Sequence, residues 1–581
     1  MEQKPGDPSR GPVRSPEHQS GLVLWETRLF RLAIVLFVAS RVAFAWFQTI
    51  GSDEPQHAHV AWAWTRGLVQ YRDVFDNHTP LFHLLSAPLV AFVGERADIL
   101  ALLRCGIIGL NLVTLFLVWR ICRSLFSVRA ARWATMGLAF FPPFFLDGSE
   151  FRSDVLWTTL WVSWIALVTS RLHLSTKCFW GGVLLAACFG TSLKSVLLVL
   201  AATVAFGLTL AMQSRFLSKI RTSVVLKGSS LALAGFSILA GGILSLFMAM
   251  GAGPAMYRCV IEHNLGGEQL GFLPRLFRGA SDPRFWFFVP ALYFAFFALG
   301  QWRGSKQRFR IAFLILFVGF YPLFLLGAWP VITRQDFLPL YPLLFVCLSP
   351  LVLFLLQRLL EPIGTSHFAS LASLALFLFV EAGWSTEILH RKASADPIDA
   401  NRIGEVLRLT KPDETVLDPK GDVVLRRRPI YEVLELFTMQ QYRDRVFLDR
   451  IPEQLIANHT MVAVRSDRYP DRTRRFLQEN YLSCGRLLIA GIEAHETAGG
   501  VFRFQLALGG SYVFLSKGHL ISGKLNSVPI SGKTDMQPGF FEFVPDTNDD
   551  WPLTIQWERA YELGAIGAGN ANRTSQGPPT S

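Results

Sequence analysis

The chain has 581 residues, of which 51% are hydrophobic and only 17% are charged, and its formal net charge is +12 at pH 7. This composition is too apolar for an ordinary soluble protein of this length, so it indicates a membrane protein. The basic excess alone is compatible with a nucleic-acid partner. Its distribution along the chain excludes that class, because the basic residues cluster in the connections between apolar runs.

Apolar runs close to the roughly 18 residues that cross a membrane recur over the first two thirds of the chain. A polar, proline-rich segment precedes the first run and is too poor in apolar residues for a cleavable signal, so residues 1–24 are predicted to be a disordered cytoplasmic tail. Eleven runs are predicted to span the membrane as helices, at about 29–50, 99–119, 133–146, 155–170, 179–193, 195–212, 228–250, 285–300, 311–328, 337–356 and 366–385.

Basic and acidic connections alternate between these runs. Four connections contain Arg and Lys without any Asp or Glu, and the connections between them carry the acids. Positively charged loops remain in the cytoplasm, so the pattern predicts an integral, multi-pass protein of the cell (inner) membrane with a cytoplasmic amino terminus. The large first loop, 51–98, is then outside, and an odd number of spans places the C-terminal region in the extracytoplasmic space as well.

Long apolar runs stop near residue 390, which predicts a boundary between a membrane module at 25–390 and an outer domain at 391–566. Residues 567–581 are rich in Gly, Ser and Pro and are predicted to be disordered. Strand and helix patterns in the outer domain predict an α/β fold followed by a small β unit. The predicted strands are 415–417, 461–464, 486–490, 502–506, 512–516, 540–544 and 553–557, with a helix at 471–480.

The first outer loop opens with an acidic pair, Asp53 and Glu54, directly after the first predicted span. A carboxylate at the membrane boundary can meet a lipid-borne substrate at headgroup level while it takes a second substrate from water. The alternative is structural: Asp53 could cap the helix that begins here, with Gln56 as its capping-box partner. The residues alone leave cap and catalyst equally open. Trp62 and Trp64 predict that this helix lies in the membrane interface.

Five segments, in order along the chain, resemble the GT-C class of membrane glycosyltransferases: 53–54, 71–81, 151–154, 190–194 and 334–342. The similarity is to the dolichyl-phosphate-mannose protein mannosyltransferases and to the bacterial aminoarabinose and lipopolysaccharide-core transferases. It covers about 25–390 and implies an inverting transfer of a sugar from a polyprenyl-phosphate-linked donor to a lipid, glycan or protein hydroxyl. The Trp-Trp-Asp motif of oligosaccharyltransferases is missing from the sequence, which argues against en bloc transfer to asparagine.

The resemblance matches Asp53 to the family's catalytic aspartate and Glu54 to the acid that follows it in the Asp-Glu version, so it implies that both are catalytic. An attacking hydroxyl needs a general base to take its proton, and a carboxylate is suited to that role. The departing lipid phosphate gains charge, so nearby cations stabilise it. The cations assigned to the phosphate are Lys194, Arg334 and Arg72. Their structural alternatives are a lysine that snorkels to the interface and an ion pair of the arginine at 334 with a nearby acid.

Six further side chains are of types that could support this site or bind a divalent metal ion. They share no compact metal-binding motif beyond one histidine that follows Asp53 by a helical turn. Structural histidines are therefore favoured over a metal site, and no cofactor is assigned. The six are His57, His78, Asp76, Asp154, Glu262 and His263.

Two other functions compete with the glycosyltransferase. A transporter of lipid-linked intermediates predicts ionisable residues inside several spans and a two-fold repeat, but only Arg41 lies well inside a predicted span and the two halves do not match. A non-catalytic scaffold or receptor leaves the acids of the first loop unexplained. The expected partners are therefore the lipid-linked sugar donor, the bilayer and an acceptor, without nucleic acid.

Overall fold

The structure is a computed structural model. It describes residues 16–212, 222–265, 273–274, 305–360, 400–496, 500–546 and 552–568. The predicted spans 285–300 and 366–385 and the predicted domain boundary near residue 390 lie outside the described residues.

Helices account for most of the described chain up to residue 360, and the first of them begins inside the predicted N-terminal tail. These helices are α1 (Pro16–Phe47), α2 (Glu54–Thr65), α3 (Leu81–Val93), α4 (Ile99–Leu125), α5 (Val128–Phe140), α6 (Pro142–Asp147), α7 (Ser153–Thr169), α8 (Leu174–Thr191), α9 (Ser195–Met212), α10 (Thr222–Ala249), α11 (Gly253–Tyr257), α12 (His263–Leu265), α13 (Ser305–Ala328) and α14 (Tyr341–Leu360). A π-helical turn, Arg258–Glu262, and a 3-10 turn, Arg334–Phe337, complete this part.

Six of the described helices are long and apolar enough to cross a membrane, which supports a polytopic helical protein without establishing the predicted count of eleven. The six are Leu24–Phe47, Ile99–Leu125, Leu174–Thr191, Ser195–Met212, Thr222–Ala249 and Gln307–Ala328. The predicted span at 133–146 is not one continuous helix. Pro142 and Pro143 end α5 and open α6, because proline cannot continue the hydrogen-bond ladder of the preceding turn.

The chain forms two compact units, and their segments are not consecutive in the sequence. A helical unit is built from the described residues within Met1–Gln48, Arg104–Ser245 and Glu268–Asp396. A mixed unit is built from those within Thr49–Leu103, Leu246–Gly267 and Pro397–Ser581. The first outer loop therefore belongs to the same unit as the C-terminal region.

The helical unit has an apolar core to which α1, α4, α5, α7, α9, α13 and α14 all contribute. Within it α9 packs on α13, α7 on α8, and α5 on α14. The charged residue inside the first span, Arg41, is buried and has a structural partner: its guanidinium donates to the Phe144 carbonyl (2.9 Å) and lies over the rings of Phe37 and Phe145. One nitrogen of this buried cation thus has a carbonyl partner and the guanidinium plane lies against aromatic faces, whereas Nε and Nη1 have no hydrogen-bond partner among the described residues.

The C-terminal part of the mixed unit is an α/β structure. Its helices are α15 (Ala400–Leu409), α16 (Leu436–Arg443), α17 (Ile451–Ala457), α18 (Asp471–Asn480) and α19 (Glu558–Glu562). Its strands are β1 (Val416–Leu417), β2 (Val462–Val464), β3 (Tyr481–Cys484), β4 (Leu487–Ala494), β5 (Phe502–Leu506), β6 (Gly510–Ser516), β7 (His519–Leu520), β8 (Gly523–Leu525), β9 (Val528–Ile530), β10 (Lys533–Met536), β11 (Gly539–Pro545) and β12 (Leu553–Trp557).

The seven predicted strands are present, and the described residues form five further strands that were not predicted: β3, β7, β8, β9 and β10. One eight-stranded sheet has the order β1-β2-β4-β12-β6-β10, with β3 paired to β4 and β7 paired to β6. A second sheet has the order β5-β11-β8-β9. The strand β1 is parallel to β2 and the other pairs are antiparallel. The late strands β6 and β12 lie inside the main sheet, whereas β5 and β11 belong to the second sheet, so the predicted β unit is divided between two sheets that share one core.

Candidate active site

Helix α2 begins directly after the first apolar helix, and Asp53 occupies its N-cap position. The Asp53 side chain makes no capping hydrogen bond, and Gln56 donates instead to Asp76 Oδ1 (3.2 Å). Glu54 Oε2 accepts the Gly51 amide proton (2.9 Å) in a fully buried position, which fixes the turn before the helix. The structure therefore does not show the capping box predicted for Asp53. Glu54, the second acid of the pair, accepts a backbone hydrogen bond.

The Asp53 carboxylate pairs with the Lys420 ammonium, and Ser52 Oγ donates to the same Asp53 Oδ1 (3.1 Å). The Asp53 side chain keeps 20% of its surface exposed, while that of Lys420 keeps 9%. An ionised carboxylate next to an ammonium is stabilised in its charged form, which is the form that accepts a proton. This carboxylate is thus both charge-paired and partly open to solvent.

Helix α2 itself is buried almost throughout, which contradicts the predicted interfacial helix. Residues from Glu54 to Ala63 are buried, and Trp62 is 3% exposed. The reason is tertiary: α2 packs against α3, and the C-terminal segment around Val424 contacts His59. The aromatic residues that suggested a lipid surface contribute instead to a protein core.

A buried polar cluster that includes His57 of α2 is centred on the Asp76 carboxylate. Its Oδ1 accepts from His78 Nδ1 (2.9 Å), and its Oδ2 accepts from Gln70 Nε2 (2.7 Å) and lies 3.3 Å from His83 Nδ1. The other nitrogen of His83 shares a proton with His57 Nδ1 (2.8 Å). Asp76, His57 and His78 were predicted as supporting residues, and the structure brings them together in one network. His83 was not predicted, because a single histidine in an apolar helix carries no sequence signal.

Burial lowers the pKa of His83 to about 4, against an opposing effect of the neighbouring Asp76 charge. Unfolded His83 binds a proton near pH 6.5 but the folded residue does not, so the stability that neutral His83 confers is lost as the pH falls from about 6.5 to about 4. We expect His83→Gln to lower the free energy of unfolding most at neutral pH. The difference in this free energy between wild type and variant should shrink by about 3 kcal/mol towards pH 4.

The measurement is the thermal midpoint of the purified full-length protein and variant at a series of pH values. Burial, with the nearby charge of Asp418, raises the pKa of Asp422 to about 6, so this residue makes stability fall as the pH rises. This effect is the same in wild type and variant and therefore cancels from the difference between them. The exposed His519 supplies the control His519→Gln, a surface substitution that should change the free energy of unfolding by less than about 0.5 kcal/mol. A His83→Gln difference that stays constant between pH 4.5 and 7 would contradict the prediction.

The other candidates of the mixed unit have separate partners. The Arg72 guanidinium forms an exposed pair with Asp73 (2.8 Å) and donates to the Met250 carbonyl (3.0 Å). His263 Nε2 lies 2.7 Å from Glu435 Oε1. Glu262, at the end of the π-helical turn, is exposed.

The remaining candidates belong to the helical unit. Lys194 pairs with Asp336, whose carboxylate is fully buried and also accepts the Thr333 amide proton (2.8 Å). The lysine is therefore held in an ion pair, which differs from the snorkelling alternative. Arg334 is exposed, and the described residues contain no ion pair between it and Asp336. Asp154, in the first turn of α7, accepts from Arg152 Nε (3.0 Å).

The predicted residues thus form distinct local sets: Asp53 with Lys420, the Asp76 cluster, and the Lys194–Asp336 pair. Lys420 was missed, because the turn signal Asp418–Gly421 gives no indication that it would meet a residue of the first loop. Within the part of the chain that the structure describes, no group of three or more His, Cys, Asp or Glu side chains could hold a metal ion.

The GT-C membrane fold that the sequence resemblance implies is confirmed by two solved structures of one protein, ArnT. ArnT from Cupriavidus metallidurans matches when bound to undecaprenyl phosphate (12% identity, TM-score 0.54) and in the apo state (13%, 0.55), each over 79% of this chain and 97% of that chain. An oligosaccharyltransferase of Archaeoglobus fulgidus, in complex with Zn and sulfate, matches with a TM-score of 0.41 and 12% identity over 81% of this chain and 72% of that chain. No protein-family model and no curated protein matches.

Proposed function

We propose that this chain is an inverting glycosyltransferase that moves a sugar from a polyprenyl-phosphate-linked donor to an acceptor hydroxyl on the outer face of the membrane. The observation that carries the proposal is the Asp53 carboxylate. It follows the first apolar helix directly, does not cap α2, and is partly exposed beside an ammonium.

Asp53 acts as the general base. The acceptor oxygen attacks the anomeric carbon from the side opposite the phosphate, and Asp53 takes the proton of the attacking hydroxyl. The bond between the anomeric carbon and the phosphate oxygen breaks as the new bond forms, so the configuration at that carbon inverts. The lipid phosphate leaves with the bonding electron pair and gains charge.

The donor class is supported by the solved structure of ArnT bound to undecaprenyl phosphate, which shares the fold. Arg334 is the stronger of the cation candidates for the donor phosphate, because it is exposed and the carboxylate of Asp336 is engaged by Lys194. Arg72 is exposed as well, although Asp73 neutralises part of its charge. The alternating charge pattern supports a cytoplasmic amino terminus and an outer C-terminal region.

The experiment has a cellular and a purified arm. Deletion of the gene should cause a polyprenyl-phosphate-linked sugar to accumulate, as measured by mass spectrometry of the lipid extract. The purified protein in detergent, given that extract and a membrane fraction as acceptor, should release polyprenyl phosphate. A transporter would produce the same accumulation but no bond cleavage in detergent, so cleavage decides between the two. Unchanged lipid-linked pools together with no cleavage would contradict the proposal.

A further inference from the structure

A loop of the C-terminal region, Asp418–Val424, brings Lys420 to Asp53. The loop is wrapped around one buried carboxylate, Asp418, which is fully buried. Asp418 Oδ1 accepts the amide protons of Lys420 (3.0 Å) and Gly421 (2.5 Å), and Oδ2 accepts that of Val423 (3.1 Å). Three amides directed at one carboxylate fix the backbone of the residue that carries the ammonium.

The charge of Asp418 is balanced by Arg428, whose Nε lies 3.0 Å from Oδ1. The same guanidinium donates through Nη2 to the carbonyls of Asp418 (3.1 Å), Pro419 (3.0 Å) and Glu432 (2.8 Å). A buried arginine that binds the first two residues of the loop and also Glu432 leaves the start of that loop little conformational freedom. Lys420 is therefore presented by a preorganised segment and is not a flexible surface lysine.

The loop also rests directly on α2, the helix that Asp53 starts. His59 Nδ1 donates to the Val424 carbonyl (2.8 Å). Gly421 has φ +88°, and a Cβ at this position would lie 2.9 Å from the Cβ of His59, so a residue without a side chain is required there. Arg426, just beyond the loop, pairs with Glu95 (2.9 Å). The first outer loop and the C-terminal region are thus joined by a hydrogen bond, an ion pair and close packing.

We propose that Lys420 is a positioning residue for Asp53, so that the C-terminal region completes the catalytic site. The ammonium orients the Asp53 carboxylate for the proton of the acceptor hydroxyl. The inference rests on the proposed function. It assigns to the C-terminal region a part in catalysis through the position of Asp53, because Lys420 is held by a rigid loop.

The test is steady-state kinetics of full-length variants with the donor extracted from the deletion strain. Lys420→Met should lower kcat by about 10- to 100-fold while the KM for the donor changes by less than about twofold, because the residue orients the base and does not bind the phosphate. Lys420→Arg should recover part of kcat, since it restores the charge with a different shape. Asp53→Asn combined with Lys420→Met should be no slower than Asp53→Asn alone.

Lys524→Met, which removes an exposed lysine on β8, is the matched control and should leave both constants unchanged. Folding is monitored by thermal midpoint and by the monodisperse fraction, and Gly421→Ala provides a second variant that disturbs the loop without touching the ammonium; it should also lower kcat selectively. An unaffected kcat in Lys420→Met, or an effect confined to the donor KM, would overturn the assignment while the proposed function stands. An inactive wild type would overturn both.

Discussion

Replacing Asp53 by Asn is expected to reduce turnover by about 10²- to 10⁴-fold, the range typical for loss of a general base. The substitution keeps the size of the side chain but removes the charge and the capacity to accept a proton at neutral pH. Because Asp53 makes no capping bond and is partly exposed, the protein should remain folded. The measurement is release of polyprenyl phosphate by the purified variant, together with complementation of the deletion strain.

The matched control for this prediction is Asp98→Asn, which removes another acid of the same outer loop. Asp98 is paired with Arg96 at the surface, and its loss should leave turnover within about twofold, since exposed pairs contribute little. Near-native turnover in purified Asp53→Asn would show that this carboxylate is not the base. Equal losses in both variants would indicate a general effect of charge in the loop.

Lys194 and Arg334 are expected to respond differently to substitution, although the resemblance assigns both to the donor phosphate. Lys194→Met leaves the fully buried Asp336 carboxylate without its ammonium, and loss of one partner of a buried ion pair costs about 3 kcal/mol or more of stability. Arg334→Ala removes an exposed side chain, so stability should change by less than about 0.5 kcal/mol. Its donor efficiency, kcat/KM, should instead fall on the order of 100-fold.

Thermal midpoints and donor kinetics of the two variants separate these effects. The double variant Lys194→Met/Asp336→Leu should regain much of the lost stability, because replacing both members of a buried pair by apolar groups is often neutral. Arg171→Ala, at another exposed arginine of the same unit, is the control for Arg334 and should leave kcat/KM unchanged. If Arg334→Ala merely destabilises the protein, or impairs acceptor use alone, the phosphate-binding assignment of Arg334 fails.

Features that depend on short-range pattern were predictable here. The apolar runs, the strands β5 and β12 and the helix α18 follow from hydrophobic periodicity, which acts within one segment of chain. The break between α5 and α6 could also be foreseen from Pro142 and Pro143, yet the apolar run across it was predicted as one span. The GT-C fold was accessible because five weak motifs occur in the right order.

The sequence by itself determined that this is a polytopic membrane protein, because composition and apolar runs are local properties. It also placed Asp53 at the start of a helix beyond the first apolar run, because the acids directly follow that hydrophobic stretch. Only the tertiary structure decided what this carboxylate contacts. Lys420 comes from the far end of the chain, and its approach depends on the Asp418 loop and on the close fit of Gly421 against α2. The burial of α2 and the central place of β12 were decided in the same way, since hydrogen bonds and packing between distant segments leave no trace in local periodicity.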